Sequence, residues 1–298
     1  MKASIIKRYP SITSLVVSIF IFFGLFYYCS NIYQPEKMLG NDIRLFRSTP
    51  VWELAKAVNK ENIKKINHLI KNKGVPIDFH EPRFDQTLLI WATRVGKEKA
   101  VEALLELGAD PNLQDHHGNN AIIIASDFSY YSDDCCRTHL LKLMLKYGGD
   151  PNSVNFIKLN KKGGEFGGHT PLTRASGACL EKVKLLVDAG ADINFVNEYG
   201  GGNPLREALV MQRANIVRYL LIEKKADFRK EEKVTTIYGD IIRIVFSLRG
   251  WTFPLDSEDY KIKMEIVEYL KEQGVDYRSS PIPTDIRMRF PQEYLDRY

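Results

Sequence analysis

The chain has 298 residues, 44% of them hydrophobic and 27% charged, which supplies a sizeable core and argues against a disordered polymer. Of its net charge of +5, three charges come from Lys2, Lys7 and Arg8 in a leading segment without an acidic residue, so the remainder is close to neutral. A phosphate-binding chain concentrates Lys and Arg on one face, and no such concentration is present, which argues against nucleic acid as a partner.

No charge follows Arg8 until Glu36, and the stretch from Leu15 to Tyr28 is almost wholly apolar. Roughly 20 helical residues cross a bilayer. The expectation is therefore a cytoplasmic basic segment (1–10), a transmembrane signal anchor (11–30) and a linker (31–45). A cleaved signal peptide or lipoprotein signal is an alternative, but Phe26, Tyr27 and Tyr28 stand before Cys29 where small residues are needed. A buried helix is a third reading. Basic residues in the short N-terminal flank favour the cytoplasm, which places the folded part on the far side, although Lys37, Arg44 and Arg47 weigh against that orientation.

Internal repetition dominates the rest of the chain. Gly108-Ala-Asp-Pro-Asn112, Gly149-Asp-Pro-Asn152, Gly190-Ala-Asp-Ile-Asn194 and Lys225-Ala-Asp-Phe228 are variants of one phrase, with weaker copies at Gly74 to Asp78 and Gly274 to Asp276. A second phrase precedes each: Thr49-Pro50, Thr87 to Ala92, Asn120 to Ala125, Thr170-Pro-Leu-Thr-Arg-Ala175, Asn203-Pro-Leu-Arg-Glu-Ala208 and, faintly, Thr236. In the unit that starts at Thr87, the threonine caps a first helix and Leu89, Ile90 and Ala92 face a neighbouring unit. Gly96 stops that helix. Ala100, Val101, Leu104 and Leu105 then form the inner face of a second helix, which Gly108 ends. The polar stretch Asp115 to Asn119 turns the chain into the next unit.

The spacing of 33 residues from Thr87 to Asn120, from Thr170 to Asn203 and on to Thr236, with these two phrases, resembles the ankyrin-repeat family. The resemblance implies an all-α solenoid of about six helix-turn-helix units over residues 46–279, in which stacked units share one elongated core. Three departures stand out: an insertion at 125–137 between the helices of unit three, a long loop at 156–168 before unit four, and residues 247–258 inside an atypical last unit. A tail (280–298) carrying Pro281, Pro283 and Pro291 is expected to run extended over the last helix.

Little in the chain suggests catalysis. His116 and His117 fall at a turn tip with no Cys or Glu at ligand spacing. The run from Gly163 to Gly168 lacks the Lys-Ser/Thr of a P-loop and the strand and helix of a dinucleotide site. No glycine-flanked serine appears, and Asp133-Asp134 and Glu231-Glu232 read as solvated loop charges. No enzyme activity, cofactor, metal or small-molecule substrate is expected. Cys135 and Cys136 lie in the unit-three insertion and Cys179 in the inter-helix turn of unit four, on one edge of the stack. A disulfide from Cys135 or Cys136 to Cys179 is therefore open in an oxidising compartment, with free thiols the alternative.

Proteins of the ankyrin family generally bind other proteins on a concave surface of turn tips and first helices. Carried over by position, the resemblance implies partner-binding roles for Arg83, Phe84, Gln86 and Arg94 in unit two, and for His116, His117, Asn119 and Asp127 in unit three. His169 and Arg174 of unit four, Glu198 and Tyr199 at the following tip, and Arg206 of unit five complete the set. Tyr130, Tyr131, Phe166 and Trp251 in the insertions are second candidates. The opening stretch Val51 to Val58, followed by Ile63 to Ile66, resembles the first unit of bacterial membrane-anchored or lipidated ankyrin proteins, some of which are immunity partners of secreted antibacterial effectors such as phospholipases. That implies an inhibitor in the bacterial inner membrane with its repeats in the periplasm; an envelope scaffold is the alternative.

Overall fold

The computed structural model describes residues 38–127, 136–157, 166–197, 203–230, 233–236 and 239–298. The apolar N-terminal segment, Tyr130, Tyr131 and Cys135 lie outside them, and no helix among the described residues is long and apolar enough to cross a membrane. Six helix pairs follow one another: α1 (Trp52–Asn59) with α2 (Ile63–Lys71), α3 (Leu88–Arg94) with α4 (Glu98–Glu106), α5 (Ala121–Ser126) with α6 (His139–Lys146), α7 (Pro171–Ser176) with α8 (Leu180–Asp188), α9 (Pro204–Val210) with α10 (Ala214–Arg218), and α11 (Arg243–Arg249) with α12 (Glu258–Glu272). First helices stack in one row and second helices in another. A continuous core runs between the rows from Leu45 and Phe46 at one end to Ile266 and Leu270 at the other.

The repeated phrases are the local instructions for this arrangement. Thr87, Asn120, Thr170 and Asn203 each precede a first helix, and each side-chain oxygen accepts a hydrogen bond from the amide three residues on (Ile90, Ile123, Thr173 and Arg206). Such caps satisfy amides that have no partner inside the helix. Pro171 and Pro204 sit in the first turn, where no amide is needed. After the second helices, Gly74, Gly108, Gly148, Gly190 and Gly274 adopt left-handed backbone, as a helix-ending residue requires.

The Asp and Asn of the Gly-Ala-Asp-Pro-Asn phrase join one unit to the next. Asp150 Oδ1 accepts from the Asn152 amide, fixing the turn. Asn152 then reaches across the junction: its Nδ2 donates to Gly190 O at 3.0 Å and its Oδ1 accepts from the Asp192 amide at 2.8 Å. Asn112 makes the equivalent pair with Gly148 O and the Asp150 amide, and Asn194 Oδ1 accepts from the Asp227 amide. A primary amide suits the position because it donates and accepts at once.

Several expectations differ from what forms. The loop before unit four is an antiparallel hairpin, β1 (Asn155–Ile157) and β2 (Phe166–His169). Within β2, opposite the register shift between Asn155 and Phe156, Gly168 stands at φ +84°, where a Cβ would strike the side chain of Asn197. A second hairpin, β3 (Lys233–Thr236) with β4 (Gly239–Ile242), takes up the faint Thr236 phrase, so the first helix of unit six starts only at Arg243. At Thr49 the hydroxyl donates to Phe46 O instead of capping α1, which begins after Val51. The last part of the supposed linker is packed: Met38, Leu45 and Phe46 are buried against the first units. The tail is not extended either; it forms α13 (Thr284–Arg289) and α14 (Gln292–Arg297). Its prolines stand ahead of these helices, where a missing amide costs nothing.

Candidate binding surface

Three successive turn tips are each built round a buried polar side chain. In the tip before α3 the Glu81 carboxylate accepts from the amides of Arg83 and Phe84, both at 2.8 Å. One unit later Asp115 Oδ1 accepts from the amides of His117 and Asn119, and its other oxygen receives Arg94 Nη2 at 3.1 Å. Asn155 continues the series, donating to Asn119 Oδ1 and accepting from the His169 amide. The His116 amide donates to Phe84 O, so neighbouring tips are also joined through backbone. The tips are therefore stiff, and a stiff array loses little freedom on binding.

On this frame Arg83 and Phe84 are half-buried, with the guanidinium carbon 4.7 Å from the ring centroid. His116 and His117 are exposed. Arg94, Asn119, Asp127, His169, Arg174 and Arg206 form a half-exposed row from α3 to α9. Gln86 corrects the expectation: it is 1% exposed, and its Nε2 donates to Gly40 O because the segment ahead of α1 folds over it. It belongs to the core, not to a binding face. Trp251 is likewise 1% exposed, with Nε1 donating to Leu209 O at 2.9 Å, so it covers the stack and offers no contact to a partner. Glu198, Tyr199 and the side chain of Phe166 lie outside the described residues.

The row is interrupted by a cavity of about 410 Å³ where the C-terminal ends of α3, α5 and α7 meet the inter-helix connection of unit three. Arg94, Arg137, Arg174 and Lys182 enter its lining, with Asp127 as the carboxylate there. Arg137 Nη2 pairs with Glu98 at 3.0 Å and Arg174 Nη1 approaches Asp127 at 3.8 Å. Lys182 is 2% exposed and its Nζ donates to Asp127 O at 2.8 Å. Beside it, burial and the Arg174 charge hold the His169 imidazole below its ordinary range, which favours the neutral ring. Burial pushes the Glu207 carboxyl up, against the pull of Arg174 and Arg206.

Arg137, Lys182 and Glu207 were not among the residues read from the sequence as binding positions. Lys182 carried a signal nonetheless, since it stands eight residues before Gly190 where unit two has Ala100 before Gly108. A lysine at an apolar position of a repeat has to find a local acceptor.

At the edge of the cavity Cys136 is disulfide-bonded to Cys179, with Cα atoms 5.5 Å apart. Cys179 is the N-cap of α8 and Cys136 precedes α6, so the bond ties together the two loosely apposed second helices of units three and four. It also fixes Arg137 beside the cavity. Neither sulfur carries a proton, so the nearby Glu181 carboxylate receives no hydrogen bond from them.

Comparison with known proteins agrees with this geometry. A family model described as ankyrin repeats (3 copies) matches residues 54–155 and 134–232. The Nuclear factor NF-kappa-B p105 subunit of Gallus gallus is 32% identical over 167 residues, 56% of this chain and 15% of that one. The B-cell lymphoma 3 protein homolog of Mus musculus is 30% identical over 170 residues, 56% of this chain and 35% of the relative. A putative ankyrin repeat protein of Acanthamoeba polyphaga mimivirus is 33% identical over 126 residues, covering 37% of this chain and 20% of its own length. The chain thus spans well under half the length of these relatives.

Proposed function

The chain belongs to the ankyrin-repeat family, and from that premise we propose that it is a protein-binding module that acts without catalysis as an immunity-type inhibitor of a secreted antibacterial toxin, such as a lipase. The observation that carries protein binding is the row from Arg94 through Asn119 and Arg174 to Arg206, presented at fixed spacing by stacked first helices whose tips are locked by buried carboxylates and amides. Rigid presentation of polar side chains over a long face suits a macromolecular partner better than a small molecule. In this reading the leading basic residues and the apolar segment hold the chain in a bacterial inner membrane, with the repeats in the periplasm. The Cys136–Cys179 bond supports that compartment, since structural disulfides persist where the environment is oxidising.

The test is capture of the full chain from detergent-solubilised membranes, with mass spectrometry of what comes with it and a growth assay of the deletion strain. The expected result is one stoichiometric secreted enzyme whose toxicity appears only in the deletion strain. Several envelope proteins in substoichiometric amounts, without toxicity, would replace the inhibitor by a scaffold. Absence of any protein partner would overturn both.

A further inference from the structure

The lining of the cavity between units two and four identifies the chemistry of what it takes. Arg94 and Arg174 each have their Nε shielded from solvent with no hydrogen-bond partner. Each guanidinium is a fixed fork of donors, and an acceptor seated at its outward Nη groups reaches the shielded Nε as well once the side chain turns toward it. Arg94 spends Nη2 on Asp115, Arg137 spends Nη2 on Glu98, and Arg174 is held only at 3.8 Å by Asp127, so donor capacity remains on all three. The walls between them include Val95, Ile124 and Leu140. A ligand that fits is a planar anion on a short apolar stem.

We propose that this notch seats the carboxylate of a Glu or Asp side chain presented by the protein partner, with Arg174 as its principal clamp. A carboxylate accepts two parallel N–H bonds from one guanidinium, and its methylene stem packs on the apolar walls. A phosphate dianion fits less well, because Asp127, Asp115 and Glu98 stand within the same cluster and repel the second charge. The near-neutral balance of the chain beyond its first residues also removes the long-range attraction a nucleic acid would use. The inference rests on the protein-binding reading above and makes it specific.

The experiment is selection of a phage-displayed random-peptide library on the full-length chain. Enriched peptides are expected to share one Asp or Glu, and a synthetic peptide with Gln in place of that Glu should bind at least about tenfold more weakly, the scale of a lost charge-assisted hydrogen bond. Arg174→Glu should lose these peptides and select ones with Lys or Arg at the shared position, a reversal that simple loss of structure would not produce. Because the Gln-for-Glu comparison uses the unaltered protein, it stands even where the variant fails to fold. Enriched peptides with no shared carboxylate, or equal binding of the Gln peptide, would overturn the notch and leave protein binding intact. A library that yields no binder would count against the protein-binding reading and the notch together.

Discussion

At the junctions that follow units two and three one asparagine both donates to a glycine carbonyl and accepts from an aspartate amide, whereas at the last junction Arg229 stands where that asparagine would be. Arg229 Nη2 supplies the donor arm, to Gln273 O at 3.1 Å, but a guanidinium cannot accept a bond in return. Unit six is held instead by contacts that occur once. Trp251 bonds back to Leu209 O, and its own carbonyl accepts from the buried Lys263. The Lys263 amine lies 3.9 Å from the Tyr298 ring centroid, and Arg249 reaches Ser280 O under the ring of Tyr277. Periodic hydrogen bonding makes the middle of the stack tolerant, since each junction is one of several. The end depends on single side chains.

The largest test of that contrast is Trp251→Ala. Removing a buried tryptophan costs about 3–5 kcal/mol, and in a stack that interacts only with nearest neighbours the loss should fall on unit six. Trp52 and Trp91 remain in units one and two, so their fluorescence should report a later transition than circular dichroism, which follows all helices. Coincident transitions in the variant would show one cooperative body and dissolve the distinction.

Next is the clasp in the middle. Reducing Cys136–Cys179, which are 43 residues apart, releases a loop whose closure is worth about 2–4 kcal/mol in the unfolded chain. A denaturant midpoint that falls on reduction, and that Cys179→Ser reproduces without reductant, is the expected outcome. An unchanged midpoint would mean that the ladder alone holds units three and four.

Lys263 gives the end a pH dependence. Burial, with Arg249 nearby, pulls its amine from 10.5 to about 7. The unfolded chain therefore binds more protons between those values, so stability rises with pH across that window and is lost as pH falls to about 7. Raising pH from 7.5 to 9 should add about 2 kcal/mol, at about 1.4 kcal/mol per unit. Above pH 10 the sign reverses, because burial pushes Tyr277 up to about 12 and Tyr298 higher still. Lys263→Met should flatten the rise; an identical profile in the variant would assign the dependence elsewhere. For the ladder, Asn152→Ala removes the bonds to Gly190 O and from the Asp192 amide and should cost about 1–2 kcal/mol.

The same contrast explains what the sequence disclosed. Thr87, Asn120, Thr170 and Asn203 could be read as caps and Gly108 and Gly190 as helix ends, because each repeats at a period and each acts on its own backbone. Gln86 could not be placed, since its burial depends on Gly40, forty-six residues earlier and outside the repeat. The helices of the tail were concealed for a related reason: Tyr260 OH bonds to Arg297 O and Tyr294 OH to Phe253 O, contacts with no periodic signature. Of the proposed binding face, the half-exposed placement of Arg94, Asn119 and Arg174 agrees with their position in the repeat, whereas Arg137 is brought to the cavity by a disulfide that register leaves open.

The smallest effect tests the helix-ending position of unit five, which carries no glycine. Lys225 occupies the helix-ending position at φ +57°, where Gly108, Gly148, Gly190 and Gly274 stand in other units. A Cβ in left-handed backbone costs about 1–2 kcal/mol, which glycine would relieve. Against that gain, glycine adds about 0.5–1 kcal/mol of unfolded-chain entropy. It also removes the Lys225 ammonium from 4.9 Å over the Tyr269 ring, worth about 0.5 kcal/mol on a surface. Lys225→Gly should therefore raise stability by a few tenths of a kcal/mol, about 1 kcal/mol at most, while Gly190→Ala, where the entropy gain only partly offsets the strain, should lower it by about 0.5–1 kcal/mol. Thermal melts of the two variants should move in opposite directions. If both fall, the contact with Tyr269 outweighs the backbone, and the fifth unit has exchanged the repeat's own solution for a side-chain contact with the sixth.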